Sequence, residues 1–150
     1  MQRVREAAVE IAEVGGGVRV VGEIGVGILV LVGFGREESA EGISWMAGKV
    51  ADLRIFGRDA VDGGGFERSV REVGGEVLVV SQFTLYGEAR KGRRPDFGRA
   101  APYGEAEAWY KLFCETCRVE LPGRVQTGEF GASMAVRLVN DGPVTLWLER

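Results

Sequence analysis

A chain of 150 residues with a hydrophobic fraction of 45% and a charged fraction of 27% reads as one soluble domain, long enough to bury a real core. Its net charge of −3 excludes a polycation, so any nucleic-acid binding must come from a local patch. Histidine is absent, which excludes Ser-His-Asp and Cys-His catalytic sites and a His-ligated metal, leaving carboxylates, lysines, hydroxyls and main chain.

Met1-Gln2-Arg3 leads into no apolar signal region, and the longest apolar run, Ile28 to Val32, is far too short to span a bilayer. A cytoplasmic location is therefore the expectation. Alanine and glutamate give Glu6 to Glu13 a helical propensity. Gly15-Gly16-Gly17 marks a turn, and Val18 to Ile24 predicts a short strand. Gly25-Val26-Gly27 lacks the third glycine and the following helix of a dinucleotide loop, so it reads as a tight turn. Ile28 to Phe34 is apolar on both faces and predicts a central, covered strand. Ser39 then suits a helix N-cap, with Ile43, Met46, Ala47, Val50 and Leu53 following at helical spacing. Leu53 to Phe56 predicts a short strand, and Gly57 to Gly65 a loop with consecutive glycines at its end.

Val77 to Tyr86 is the most informative run. It opens as a buried strand of β-branched residues and leucine, and strict alternation would put Leu78, Val80, Gln82 and Thr84 on one face. That face turns from hydrocarbon to amide and hydroxyl within two residues. Two readings stand: a core strand fraying into its loop, or a strand end at a pocket mouth. A long loop, Gly87 to Gly104, follows, and loops beyond about 15 residues are uncommon unless functional or disordered. It carries Arg90, Lys91, Arg93, Arg94 and Arg99 within ten residues, opposed only by Asp96. A solvated charge run and a phosphate-binding patch both fit, and adjacency to the polar strand end favours binding.

Glu105 to Val119 predicts the second helix, with Trp109, Leu112, Phe113 and Cys117 on its apolar face. Cys114 and Cys117 lie inside that helix with no second pair to complete a zinc site, so they read as packing residues. Val125 to Glu129, Met134 to Val139 and Val144 to Leu148 predict strands, with Asn140 to Pro143 a turn between the last two. Two helices among many strands, without regular β-α repeats, predict an α/β single domain over residues 1–150, with mixed β-sheets and two helices on one side in β/β/α layers.

Ser81-Gln82-Phe83-Thr84-Leu85 and Asn140-Asp141-Gly142-Pro143-Val144-Thr145 together resemble the D-aminoacyl-tRNA deacylases, whose marks are a Ser-Gln-x-Thr-Leu strand end and a later Asn-x-Gly-Pro-x-Thr turn. The resemblance also runs through Gly22 to Gly25, Leu53 to Phe56, Gly92 to Pro95 and Val125 to Ala132, in order along essentially the whole chain. Phe66-Glu67-Arg68 departs from the Lys-Met-Asn-like run of the family, so no substrate contact carries over there. The resemblance places a strand, not a helix, at the N-terminus. It implies hydrolysis of the ester of D-aminoacyl-tRNA and of mischarged glycyl-tRNA, a chiral-proofreading role in translation quality control. Ser81, Gln82, Phe83 and Thr84 would form the catalytic site. Gly142 and Pro143, with Asn140 and Thr145, would hold substrate, the Gly142–Pro143 peptide being cis and inserted into the partner subunit of an obligate homodimer. Arg90, Lys91, Arg93 and Arg94 are the candidate tRNA contacts. No metal and no organic cofactor are implied. The competing reading is a non-catalytic dimeric RNA-binding module whose basic loop does the work.

Overall fold

The structure, a computed structural model, describes residues 1–58 and 65–150; the glycines Gly63 and Gly64 of the expected loop lie outside these. The strands are β1 (Gln2–Ala12), β2 (Val18–Ile24), β3 (Gly27–Val32), β4 (Glu76–Ser81), β5 (Val125–Thr127) and β6 (Met134–Thr145). The helices are α1 (Ala40–Asp52) and α2 (Tyr103–Glu120). The strands join in one six-stranded mixed sheet ordered β2-β1-β3-β4-β5, with β6 on the other edge of β1. Both β3–β4 and β4–β5 are parallel, and the pairs involving β1 are antiparallel.

The sheet curls over itself. Gly22 in β2 shows why the two halves can meet: a Cβ there would stand 2.9 Å from Leu78 Cδ1 and 2.9 Å from the Thr127 carbonyl, so only glycine permits the approach. Inside the curl lie Val4, Val9, Ile24, Leu29, Leu78 and Val80. On the outer face α1 and α2 cover Ile28, Val30, Val77 and Val79 with Ile43, Val50 and Phe113. These are the expected β/β/α layers. Alternating side chains of β3 and β4 therefore feed two cores, which is why their sequences read as continuously apolar.

Ser39 caps α1 as its sequence suggests, its Oγ accepting from the Gly42 N–H at 3.0 Å. In α2 the buried stripe is Ala106, Tyr110, Phe113, Cys114 and Cys117, and Trp109 and Leu112 pack at its margin. Burial pushes the Cys114 thiol up to about 11 and the Cys117 thiol up to about 12, consistent with packing cysteines.

Residues Glu6 to Ala12 are strand, as the resemblance implies and against their helical propensity, because β1 is hydrogen-bonded on both edges, and tertiary pairing outweighs a propensity of a few tenths of a kcal/mol per residue. Two local readings change. Leu53 to Phe56 forms no strand; only an isolated bridge joins Phe56 to Arg68. The expected strand Met134 to Val139 runs on through the expected turn as one strand, β6, which ends at Thr145 rather than Leu148 and whose register against β1 slips inside the Asn140–Thr145 motif.

Candidate active site

β4 ends at Ser81, and the alternation expected beyond it stops there. The Gln82 N–H still donates to Val32 O at 2.7 Å, but Gln82 then caps a 3-10 turn over Phe83–Tyr86. Gln82 and Thr84 are consequently brought together by a turn rather than by a shared strand face. The Gln82 Nε2 donates to Thr84 Oγ1. Thr84 is exposed, and Ser81 and Gln82 are half-buried. The first N–H groups of such a turn have no partner within it, so the Phe83 and Thr84 amides are the available main-chain donors, whereas that of Gln82 is already used. Phe83 is 57% exposed, with its ring edge-on to Phe97 at 5.1 Å.

Phe97 belongs to the basic loop. Paired hydrogen bonds between Glu88 and Asp96, at 2.8 and 2.9 Å, close the base of that loop, and Arg36 Nε donates to Gly98 O at 2.6 Å to tie its far side. The tip, residues 89–95, stands out into solvent next to the 3-10 turn. Arg90 folds back onto Glu88, whose carboxyl it holds below the usual range by side-chain hydrogen bonding. Among the described residues Lys91, Arg93 and Arg94 make no ion pair, so their charges face solvent.

The second motif sits on β6. Val4 pairs with Asn140 and Gln2 with Thr145, so the single residue Arg3 is opposed by Asp141, Gly142, Pro143 and Val144. Arg3 is 1% exposed and fills the inside of this wide bulge. Its Nε lies 3.1 Å from the Asp141 carboxylate and donates to Asp141 O at 3.3 Å, and Nη1 donates to Ile55 O at 2.6 Å. Arg5 reaches the other Asp141 carboxylate oxygen at 3.0 Å. The Gly142–Pro143 peptide is cis, and Gly142 has φ +111°, a conformation that favours glycine. Asn140 Nδ2 donates to Thr145 Oγ1 at 3.0 Å across the base of the bulge.

Sequence reasoning missed Arg3. No local pattern marks it, because its partners Ile55 and Asp141 are 52 and 138 residues away. Within one chain the two motifs share a cavity through their last residues, Leu85 and Thr145, while Ser81–Thr84 and Asn140–Val144 do not line it. From β6 through β1 and β3 to β4 is three inter-strand steps, roughly 14 Å at about 4.8 Å each. No hydrogen bond or ion pair joins Ser81–Thr84 to Asn140–Thr145 among the described residues. Nor do these residues contain a cluster of three or more Cys, Asp or Glu side chains suited to holding a metal ion.

A family model described as D-Tyr-tRNA(Tyr) deacylase matches residues 1–149. The chain is 50% identical over 149 residues to a D-aminoacyl-tRNA deacylase of Chlorobaculum parvum, covering 99% of this chain and 95% of that protein. It is 48% identical to the corresponding protein of Thermotoga petrophila, with 99% and 94% covered. A solved structure described as c-Myc DNA Unwinding Element Binding Protein superposes with a TM-score of 0.87 at 40% identity, covering 99% of this chain and 95% of that one. A probable eukaryotic D-amino acid tRNA deacylase shares the fold, with a TM-score of 0.77 at 21% identity over 95% of this chain and 92% of that one. On full-length identity, family match and both sequence motifs, the chain belongs to the D-aminoacyl-tRNA deacylase family.

Proposed function

We propose that this protein hydrolyses the ester joining a D-amino acid to the 3′-terminal adenosine of tRNA, releasing free tRNA and D-amino acid and sparing L-aminoacyl-tRNA. The observation that carries this reading is the 3-10 turn at the end of β4. It exposes Thr84, orients Gln82 onto it, and leaves the Phe83 and Thr84 amides open beside a basic loop.

Those two amides, with the remaining N–H of the Gln82 side chain, are suited to an oxyanion formed at the ester carbonyl. Thr84 is a poor nucleophile here. Its hydroxyl accepts from Gln82, and the chain has no histidine to take its proton. Water assisted by the adenosine 2′-hydroxyl fits the available groups better, with Ser81 and Thr84 shaping the pocket. Lys91, Arg93 and Arg94 are free to meet phosphates, with Arg90 partly neutralised by Glu88.

Chirality needs a reader indifferent to side-chain size. Main-chain carbonyls of Gly142 and Pro143 can fix the substrate ammonium, so that an L side chain collides with backbone. Glycine has no side chain to exclude, and glycyl-tRNA would pass. The separation of the two motifs within one chain supports a site completed by a second copy. β6, twelve residues long and paired with β1 alone among the described residues, offers an open edge near the bulge. A homodimer with each bulge entering its partner's pocket follows, and sedimentation should show a dimer. No described helix is long and apolar enough to cross a membrane, and a tRNA substrate fits a cytoplasmic enzyme.

The alternative, a non-catalytic dimeric RNA-binding module, draws on the exposed basic loop and the nucleic-acid-binding name of the 40% identical structural neighbour. Incubation of purified protein with D-aminoacyl-tRNA separates the two: release of free amino acid supports the enzyme, and tRNA binding without release supports the module. Turnover should persist in EDTA, and its loss there with restoration by zinc would contradict the proposed metal-free chemistry.

A further inference from the structure

The Asn140–Thr145 hydrogen bond occupies an unusual place. Its two residues mark the ends of the four-residue bulge opposite Arg3, and one side-chain contact of 3.0 Å closes the base. Between them Asp141 is held by Arg3 and Arg5, and Val144 is buried in the core under the helices. Gly142 and Pro143, whose carbonyls are proposed to read the substrate, lie on the stretch with no side-chain anchor of their own.

Asn140 shows a second anomaly. Its Oδ1 is closed off from solvent and has no hydrogen-bond partner among the described residues, although an amide oxygen can accept two. Such acceptors are seldom left bare in native structures. An apolar residue would remove that penalty, so fold stability does not account for asparagine here. What asparagine supplies is the Nδ2 donor to Thr145. A shut-in oxygen is also badly placed to touch an incoming substrate, which argues against direct contact by this side chain.

The geometry points to Asn140 and Thr145 as positioning residues that set stereoselectivity by bracing the 141–144 bulge, rather than as substrate contacts. This rests on the deacylase reading and on main-chain discrimination by Gly142 and Pro143. With the brace cut, the carbonyls keep their chemistry and lose their fixed position. The D ester then binds less well, and the wall facing an L side chain gives way.

The test compares kcat/KM for D- and L-aminoacyl-tRNA bearing the same amino acid in the full-length protein and in Thr145→Val, Thr145→Ser, Asn140→Ala and the Asn140→Ala plus Thr145→Val double variant. Hydrogen exchange of the Asp141, Gly142 and Val144 amides is followed in parallel. Thr145→Val should lower the D-to-L ratio about fivefold, the worth of one ordinary hydrogen bond, partly through faster cleavage of the L ester. Thr145→Ser should restore most of the ratio. The double variant should be no worse than the worse single one, because both remove the same bond. Bulge amides should exchange faster in Thr145→Val than in Thr145→Ser.

An unchanged ratio with unchanged exchange would overturn the brace. So would a loss confined to the D ester as a higher KM, since that marks a substrate contact. Failure of the deacylase reading looks different: the unmodified protein would itself release no D-amino acid.

Discussion

Arg3 and Asp141 form the internal support of the Gly-Pro bulge. The buried Arg3 Nε stands 3.1 Å from the Asp141 carboxylate and 3.3 Å from its carbonyl oxygen. The same guanidinium donates to Ile55 O and lies with its centre 5.9 Å from the Phe56 ring centroid, so one side chain ties the bulge to the segment after α1.

Arg3→Met leaves the Asp141 carboxylate and the Ile55 carbonyl without this donor and should cost about 3–5 kcal/mol in urea unfolding, the range for a broken buried pair. Arg3→Lys should recover only part of this, since an ammonium cannot reproduce the guanidinium fork. A loss below about 1 kcal/mol would put the contact among weak surface pairs.

Gly142→Ala meets two obstacles. Its φ of +111° is strained for an L side chain, and the added methyl would stand 2.7 Å from Arg3 Nη2 and 3.0 Å from Val144 Cγ2. The strain term alone is about 1–3 kcal/mol. The variant should unfold at lower denaturant and lose most D-ester hydrolysis even when folded. Full activity in folded Gly142→Ala would remove the bulge from the proposed substrate site.

Thr84→Ala should retain measurable deacylation, and Thr84→Ser should stay close to the unmodified enzyme. Mass spectrometry of quenched turnover should find no aminoacyl adduct on Thr84. An adduct there would make the hydroxyl the nucleophile despite its contact with Gln82.

Replacing both Arg93 and Arg94 by alanine should weaken tRNA binding and flatten the plot of log affinity against log salt by roughly 0.7–0.9 per lost phosphate contact. Arg90→Ala should flatten it less, because Glu88 already holds that guanidinium. Unchanged slopes would return the loop to a solvated charge run.

Cys114 and Cys117 make a pH prediction. Burial raises both thiols from an ordinary 9.0, to about 11 and about 12. Above pH 9 the unfolded chain releases these protons and the folded one keeps them, so the native state binds more protons and stability falls with rising pH. Their contribution is complete below pH 9 and is lost through about pH 11–12. Replacing both by alanine should flatten this alkaline decline, measured by unfolding at pH 8 and at pH 10.5. An equally steep decline would assign it to other groups.

Local chemistry explains what the sequence made readable. Ser39 with the 3.6-residue stripe defined α1, and the apolar run of β3 and β4 announced a sheet covered on both faces. Where distant partners decide, local reading failed. The strand state of Glu6 to Ala12 comes from pairing with β2, 6 to 17 residues away, and with β6, more than 120 residues away. Gln82 leaves the strand alternation because a 3-10 turn, not a further strand residue, follows its bond to Val32. Both motif halves were visible, but their separation across three strand steps and the buried arginine under the second belong to the fold alone.

Stereoselective ester hydrolysis is tested by a time course of free amino acid released from matched D- and L-tyrosyl-tRNA by catalytic amounts of the purified protein. The D ester should turn over many times while the L ester decays at its spontaneous rate. Equal decay of both esters at the spontaneous rate, with tRNA nevertheless bound, would contradict stereoselective hydrolysis.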